Sequence, residues 1–308
     1  MKTCFLYPGQ GAQYPQMGKD LWENYSVVKD LFTMASEVLE RDCEKLVFES
    51  DAQTLGRTDN TQPAVTIINL AVKNTLKELG LSSDGCAGHS LGEYAAYSDA
   101  GVLSDEEVLK AVGLRGRYMH EAGEKANGAG ADSSMAAVIG LELSQVEKAI
   151  SGIEGAFMAN WNAPTQIVIS GTQEGLAQAE TVLKDAGARR VLRLKVSAPC
   201  HSPLLNEAKE KFSTFLSDLD FKEPAKPLYS NVTGKIITSG AEARELALRQ
   251  IVSSVLWVDE EKSILSDGYE RIIETGPGKI LTGLLKNISS DIAAVPCGTV
   301  EQIKELLN

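Results

Sequence analysis

The sequence predicts an α/β fold in two parts, a larger α/β domain and a small domain inserted into it. The first observation is the element order β-α-β-β-α-β over residues 129–197, which is the ferredoxin-like split arrangement. The second is a strand-like segment at 272–275 that runs through Gly-Pro-Gly into a helix, as in an α/β domain. We therefore predict a core formed by residues 1–128 and 198–308, with residues 129–197 as the insert.

The first core elements follow from local patterns near the N-terminus. A short apolar run ends at Tyr7 and continues directly into Pro8 and Gly9, as a first core strand would. Pro63 predicts the start of a helix over 64–79, because proline suits the first turn of a helix.

The next core elements surround a glycine-rich turn. Residues 84–87 form a short strand-like segment, and residues 93–98 have a helical pattern. Ser104 and Glu107 form a capping box, which predicts that a long helix starts there. That helix leads into a stretch of small residues at 127–132, the only hinge-like segment that the sequence suggests.

The insert accounts for the change of pattern after that stretch. Ser144 and Glu147 predict the cap of a short helix between the first two strands. A second helix is predicted over Thr172–Ala186, before the last strand. The predicted strands are Ser134–Gly140, Ala156–Asn160, Gln166–Ser170 and Arg190–Val196.

Composition and charge exclude several classes of protein. Of the 308 residues, 43% are hydrophobic and 23% are charged, as in an ordinary soluble globular protein. No run of about 18 apolar residues occurs, so we expect no membrane span. The net charge of −12 disfavours non-specific binding to nucleic acid. Five widely spaced cysteines without a CxxC pair argue against disulfides and zinc, and favour a cytoplasmic protein.

The strongest chemical pattern is G-x-S-x-G at residues 88–92, with Ser90 at its centre. A strand before it and a helix after it are the context of a nucleophile elbow, which lifts a serine hydroxyl into a cleft. The N-terminus of the helix then offers backbone N–H groups to an oxyanion. The alternative at this stage is a glycine-rich turn with Ser90 as the N-cap of a helix.

A serine nucleophile needs a base, and the chain has three histidines. His89 lies inside the elbow and would point away from the neighbouring hydroxyl. His120 lies towards the end of a predicted helix, where a histidine charge is favourable. His201 lies in a proline-bracketed loop after Ser90 in the chain, as in hydrolases. Elimination favours His201 as the base, although a packing role in its loop is the alternative.

Several segments taken together resemble the malonyl-CoA:acyl carrier protein transacylases of bacterial fatty acid synthesis, over nearly the whole chain. They are Gly9-Gln10-Gly11-Ala12-Gln13, Gly88-His89-Ser90-Leu91-Gly92-Glu93, the helix with Arg115, Ala198-Pro199-Cys200-His201-Ser202 and Gly276-Pro277-Gly278-Lys279. The resemblance implies an α/β-hydrolase-like core with a parallel sheet and a ferredoxin-like insert. It also implies that Ser90 is the nucleophile and His201 the base of a ping-pong transfer.

The resemblance implies further roles, position by position. The backbone N–H groups of Gln10 and Leu91 would form the oxyanion hole, and the backbone carbonyl of Gln250 would orient the histidine. We therefore expect changes of the Gln250 side chain to have little effect. Without the resemblance, Gln10 would be an ordinary turn residue.

Other implied roles concern the acyl group. Arg115 would bind the malonyl carboxylate, which fits the bidentate pairing of a guanidinium with a carboxylate. Met119, one helical turn away, would pack the pocket, and Asn160 would lie near it. Without the resemblance, Arg115 would be a solvated helix residue and Asn160 a turn residue. Cys200 stands where the family usually has phenylalanine, which leaves the strictness of malonyl selection open.

The implied substrates are malonyl-CoA and the phosphopantetheine arm of an acyl carrier protein, with no metal or bound cofactor and a monomeric enzyme. Because carrier proteins of this family are acidic, docking would need a local basic surface. The basic residues of 184–195, with three others, could supply it or form a plain solvated edge; they are Lys184, Arg189, Arg190, Arg193, Lys195, Arg117, Lys279 and Lys286. The alternatives are an acyltransferase serving a polyketide synthase, a serine hydrolase or thioesterase, and a non-catalytic docking module.

Overall fold

The computed structural model describes residues 1–128 and 134–308, which form two separate β-sheets with helices packed around them. The strands are β1 (Thr3–Tyr7), β2 (Gly85–Gly88), β3 (Met135–Ile139), β4 (Ala156–Ala163), β5 (Gln166–Gly171), β6 (Arg190–Leu194), β7 (Arg271–Thr275) and β8 (Ala294–Cys297). The helices are α1 (Lys19–Asn24), α2 (Ser26–Leu39), α3 (Ala52–Gly56), α4 (Thr58–Glu78), α5 (Gly92–Asp99), α6 (Asp105–Asn127), α7 (Leu143–Ile150), α8 (Gln173–Asp185), α9 (Asn206–Ser217), α10 (Gly240–Gln250), α11 (Trp257–Ser266), α12 (Ile280–Leu285) and α13 (Val300–Leu307). Within the described ranges, no helix has the length and apolar character needed to cross a membrane.

The first sheet is parallel and has the strand order β2-β1-β7-β8. Every residue of β1 and β2 is buried, as expected for strands covered on both faces. Leu228 adds a parallel bridge beside Cys86 of β2. The carboxyl ends of β1 and β2 lie next to each other, so the loops after Tyr7 and Gly88 meet at one edge of the sheet, where ligands bind in open α/β sheets.

The second sheet is antiparallel, with the order β4-β5-β3-β6. Alternate residues of each strand point to opposite faces. Val138 and Ile167 pack with α7 and α8, whereas Met135 and Val168 point the other way and join the main core. All four predicted strands are present in the predicted order. A parallel sheet and a separate ferredoxin-like sheet confirm the predicted fold class.

The boundaries of the two parts stay a proposal. The strands of the antiparallel sheet lie between residues 135 and 194, which supports an insert at 129–197 on a core of 1–128 and 198–308. Residues 129–132 of the predicted hinge-like stretch, and the predicted boundary at 129, lie outside the described residues.

The capping box of Ser104 and Glu107 is confirmed at the start of α6, but two other predicted helix starts are wrong. Helix α4 begins at Thr58, and Pro63 lies in its second turn. The proline forgoes a single backbone bond there, and burial of most of the helix outweighs that loss. Helix α7 begins two residues earlier than predicted, because Glu142 rather than Ser144 forms the reciprocal capping bonds.

Candidate active site

Ser90 lies in a sharp turn between β2 and α5 and has a left-handed backbone with φ of 51°. Such a conformation is uncommon for a residue with a side chain, and it is typical of strained functional positions. The flanking glycines make the turn possible. A Cβ atom at Gly88 would overlap the backbone of Gly92, and one at Gly92 would overlap the carbonyl oxygen of Tyr7. The hydroxyl of Ser90 is thereby held above the edge of the sheet.

His201 lies directly beside the serine, with its Nε2 atom 2.7 Å from the Ser90 Oγ atom. Its Nδ1 atom lies 2.8 Å from the carbonyl oxygen of Gln250 and 3.1 Å from that of Ser253. Carbonyl oxygens only accept hydrogen bonds, so Nδ1 carries the proton. Nε2 is then free to accept the proton of the Ser90 hydroxyl, as a general base requires.

The surroundings of His201 keep its ring neutral. Burial, and next the positive charge of Arg115, lower the pKa of His201 to about 3. At neutral pH the ring is therefore in the form that can accept a proton. Burial also raises the pKa of the Cys200 thiol to about 11, so this neighbour stays protonated and is not a rival nucleophile.

Gln10 and Leu91 both line the cavity that contains Ser90, and each has a backbone N–H group. Neither N–H has a hydrogen-bond acceptor among residues 1–128 and 134–308. The loop after β1, which contains Gln10, approaches the elbow closely, since a Cβ atom at Gly9 would overlap the carbonyl oxygen of His89. The two free N–H groups are therefore available to an oxyanion formed on the serine's substrate.

Arg115 is a buried cation that faces the same cavity, with only 1% of its surface exposed. Its Nη1 atom donates to Gln62 Oε1 at 2.8 Å, and its Nη2 atom donates to Gln250 Oε1 at 3.0 Å. Its Nε atom has no partner, and no ion pair forms with the guanidinium, in the part of the chain that the structure describes. A buried charge without a counter-ion is costly, so this site is suited to an anionic ligand.

The cavity itself measures about 120 Å³ and lies between the two sheets, because β3, β5 and β6 contribute to its wall. Met119 is buried in this wall and accepts a hydrogen bond from Gln62 at 3.4 Å through its sulfur. Asn160 lines the cavity and is 5% exposed. Cys200 also lines the cavity, next to His201. The structure thus brings together every site residue that the sequence predicts.

Gln250 contributes more than its carbonyl group. Its side chain accepts from Arg115, and its Nε2 atom donates to the carbonyl oxygen of Ser90 at 3.0 Å and to Asn231 Oδ1 at 3.2 Å. These contacts argue against the expectation that changes of the Gln250 side chain have little effect. Gln250 therefore contacts His201, Ser90 and Arg115.

Three polar residues beside Ser90 or Arg115 were given no role by the sequence. Gln62 holds the Arg115 guanidinium, and Asn231 and Glu93 are fully buried beneath Ser90. Gln62 lies on the face of α4 that lines the cavity, and Asn231 follows the extended segment beside β2. Asn231 could have been predicted from its position, because it is a polar residue just after a core segment, at the carboxyl edge of the sheet.

The other histidines do not contact the serine hydroxyl. His89 turns its ring to Asn162, with 2.7 Å between Nε2 and Oδ1, and meets Trp257 edge-on. His120 lies beside Arg57, at 3.3 Å from Nη2.

Comparisons with known proteins agree with this geometry. The family model described as acyl transferase domain matches residues 4–299. A malonyl CoA-acyl carrier protein transacylase of Bacillus subtilis is 38% identical over 307 residues, which cover 98% of this chain and 95% of that protein. The solved acyl carrier protein S-malonyltransferase of Vibrio cholerae has a TM-score of 0.93 and 36% identity, covering 99% of this chain and 100% of that one. A type II PKS acyl-carrier protein in complex with its malonyl-transacylase also has a TM-score of 0.93, at 33% identity, covering 100% and 99% of the two chains.

Proposed function

The chain belongs to the acyl transferase family, and from this premise we propose that Ser90, His201 and Arg115 carry a malonyl group from malonyl-CoA to the phosphopantetheine thiol of an acyl carrier protein. The transfer serves fatty acid synthesis. The observation that carries the proposal is the buried Arg115, which has no counter-ion among the described residues and shares a cavity with the hydrogen-bonded Ser90 and His201. A malonyl thioester supplies both groups that this cavity lacks, a reactive carbonyl and a carboxylate.

In the first half-reaction the Ser90 Oγ atom attacks the thioester carbonyl while His201 Nε2 takes the hydroxyl proton. The N–H groups of Gln10 and Leu91 would hold the oxyanion, and Arg115 would hold the distal carboxylate. The carbon–sulfur bond breaks, and the proton passes from His201 to the leaving thiolate of coenzyme A. A malonyl ester of Ser90 remains.

The second half-reaction runs the same steps in reverse. The thiol of the carrier protein gives its proton to His201 and attacks the ester carbonyl. The bond between Ser90 Oγ and the malonyl carbon breaks, and the serine oxygen recovers the proton. His201 bonds to two carbonyl groups instead of a carboxylate, so carbonyl dipoles and not a counter-ion face the imidazolium that forms in each half-reaction.

Intact-protein mass spectrometry tests the proposal directly. Incubation with malonyl-CoA is expected to add one malonyl group to the wild-type protein and none to Ser90→Ala. The adduct should persist in water and disappear when a carrier-protein thiol is added. Rapid loss of the adduct without a thiol would instead support a hydrolase, and no adduct at all would support a docking module.

For the carrier protein we propose a docking surface formed by the end of α8, the turn after it, β6 and the residue that follows β6. Lys184, Arg189, Arg190 and Lys195 are exposed there, and Lys195 lies between two residues that line the cavity. Arg193 is less available, since it pairs with Glu180. Charges at the rim of an interface mainly increase the rate at which a partner of opposite charge associates.

Reversal of both Arg189 and Arg190 to glutamate is expected to slow transfer to the carrier protein and to leave malonyl-CoA loading unchanged. Reversal of Lys77 and Lys304 to glutamate, at exposed positions on α4 and α13, makes the same change in net charge and is the control. An equal loss in both half-reactions would contradict the docking role.

The site and the cysteines support two further proposals, on the oligomeric state and on the cellular compartment. One chain supplies the nucleophile, the base and the cation, so we take the monomer to be the active unit, which size-exclusion chromatography with an activity assay can check. All five cysteines are buried free thiols, which supports a reducing cytoplasmic compartment.

A further inference from the structure

Asn231 lies directly beneath the nucleophile elbow, although it is 141 residues away in sequence from Ser90. It follows the segment that bridges to β2 and is fully buried. Neither the proposed chemistry nor the predicted site uses it. Its side chain nevertheless contacts the backbone on both sides of the turn that holds the serine.

Those two contacts have opposite hydrogen-bonding directions. The Asn231 Oδ1 atom accepts from the Ser90 backbone N–H at 2.6 Å, and the Nδ2 atom donates to the Gly88 carbonyl oxygen at 2.7 Å. Together they span the peptide groups that must turn sharply to give Ser90 its φ of 51°. Because the Ser90 N–H is already bound, the N–H of the next residue, Leu91, is the one left for an oxyanion.

A second pair of contacts fixes which way the amide points. Gln250 Nε2 also donates to Oδ1, at 3.2 Å, and Glu260 Oε2 also accepts from Nδ2, at 2.7 Å. Two donors therefore face Oδ1 and two acceptors face Nδ2, so the side chain must be an amide in this one orientation. The backbone N–H of Asn231 donates to Glu93 Oε2 at 2.7 Å, which anchors the residue to α5.

The contact with Gln250 links the nucleophile to its base. The Gln250 carbonyl holds His201 Nδ1, and the Gln250 side chain reaches both Asn231 and the Ser90 carbonyl. A shift of the Asn231 amide would therefore move the serine and the histidine relative to each other. Misplacement of reacting groups by about 1 Å can cost roughly 100-fold in rate.

We propose that Asn231 is a positioning residue that sets the Ser90 backbone and aligns Ser90 with His201 for acyl transfer. This inference rests on the proposed function, since it concerns the same reaction. It assigns Asn231 no contact with the substrate. The expected signature is a loss in the rate of the chemical step, with the affinity for malonyl-CoA retained.

Three variants separate positioning from simple support of the fold. Asn231→Ala removes all side-chain bonds. Asn231→Asp keeps the acceptor for Ser90 but loses the donor to Gly88 and adds a carboxyl group beside Glu93 and Glu260. The double variant Asn231→Asp with Glu260→Gln reverses the bond between these two side chains, so that the amide of the new glutamine donates to the carboxylate. The double variant has the same number of buried carboxyl groups as the wild type. The Gly88 carbonyl oxygen, however, still faces a carboxylate oxygen at position 231 in place of the amide N–H group.

The measurements are the saturating rate of Ser90 malonylation by quenched-flow mass spectrometry, the Kd for malonyl-CoA in a Ser90→Ala background, and the Tm. For the alanine and the double variants we expect the rate to fall roughly 100-fold, with Kd within about threefold of wild type. The double variant is expected to regain Tm relative to Asn231→Asp but not its loading rate. If the Asn231→Ala variant does not fold, the double variant still tests the proposal.

Asn74→Ala is the matched control, because this half-buried amide donates to Asp105 and lies outside the cavity. It is expected to lower Tm and to leave the loading rate of the folded protein unchanged. A double variant that regains loading together with Tm would overturn the positioning role, as would a loss no larger than that of the control. Failure of the wild-type protein to take up malonyl would instead overturn the proposed function.

Discussion

Replacing Arg115 with alanine removes the only charge that the cavity wall offers to a carboxylate among the described lining residues. The guanidinium is 1% exposed, so a malonyl carboxylate bound to it would be largely desolvated. Truncating one member of a buried, hydrogen-bonded charge pair costs about 2–5 kcal/mol. At about 1.4 kcal/mol per factor of ten, malonyl loading is expected to fall roughly 30-fold to 4,000-fold. Acetyl loading should fall less or even rise, because an acetyl group has no carboxylate to pair.

The assay compares the rates at which malonyl-CoA and acetyl-CoA acylate Ser90, measured by intact-protein mass spectrometry. Arg115→Lys should recover only part of the malonyl rate, since an ammonium lacks the planar fork of the guanidinium. Arg117→Ala is the matched control, because Arg117 lies on the same helix but is exposed and stacks on Tyr118. If malonyl and acetyl rates fall by the same factor in Arg115→Ala, the residue supports the structure and does not select the substrate.

Four other predictions concern Ser90, His201 and the pocket wall. Ser90→Ala should form no acyl-enzyme, whereas His201→Ala should keep slow loading, because oxyanion stabilisation survives loss of the base; single-turnover kinetics distinguish the two. With its pKa lowered to about 3, His201 stays neutral as pH falls through 6.5, so the rate of loading should not decline near pH 6.5. In Arg115→Ala the nearby positive charge is gone, so any decline at acid pH should begin at a higher pH than in the wild type. Between about pH 3 and 6.5 the unfolded chain binds a proton at His201 that the folded chain does not. Tm should therefore decrease as pH is lowered across that window, and it should decrease less steeply in His201→Ala. Cys200→Phe should narrow the cavity and slow loading of acyl groups bulkier than malonyl more than malonyl itself, in a competition assay with mixed acyl-CoAs.

The parts of the fold that the sequence predicted are those with a local cause. The capping box at Ser104 and the order of helices and strands along the insert depend on residues close together in the chain. The wrong helix starts have causes that the local pattern does not contain. Helix α4 extends N-terminally through Pro63 because tertiary burial outweighs one missing backbone bond. Glu142 caps α7 because a longer carboxylate side chain can do what serine usually does.

The site was predictable where a short pattern or a resemblance marked a residue, as with Ser90, His201 and Arg115. Asn231 could not be found in this way, because its contacts join segments far apart in the chain. The side-chain role of Gln250 was missed for the same reason, since it bonds to the Ser90 carbonyl 160 residues away. Such residues stabilise a turn that the motif requires, but they lie outside the motif.

The choice of amides around this cavity has a physical reason. Gln62 and Gln250 satisfy two N–H groups of Arg115 through neutral oxygens, so the guanidinium is held in place and keeps its charge for a ligand. A carboxylate at either position would pair with Arg115 and compete with the substrate's carboxylate. The buried carboxyl groups of Glu93 and Glu260 lie one layer deeper, bonded to Asn231. Burial, the largest influence, raises the pKa of Glu93 to about 7, and it raises that of Glu260 well above its ordinary range, which weakens the negative charge they present. A cation that stays unpaired among the described residues costs stability, and under the proposed function the anion that offsets this cost arrives with the substrate.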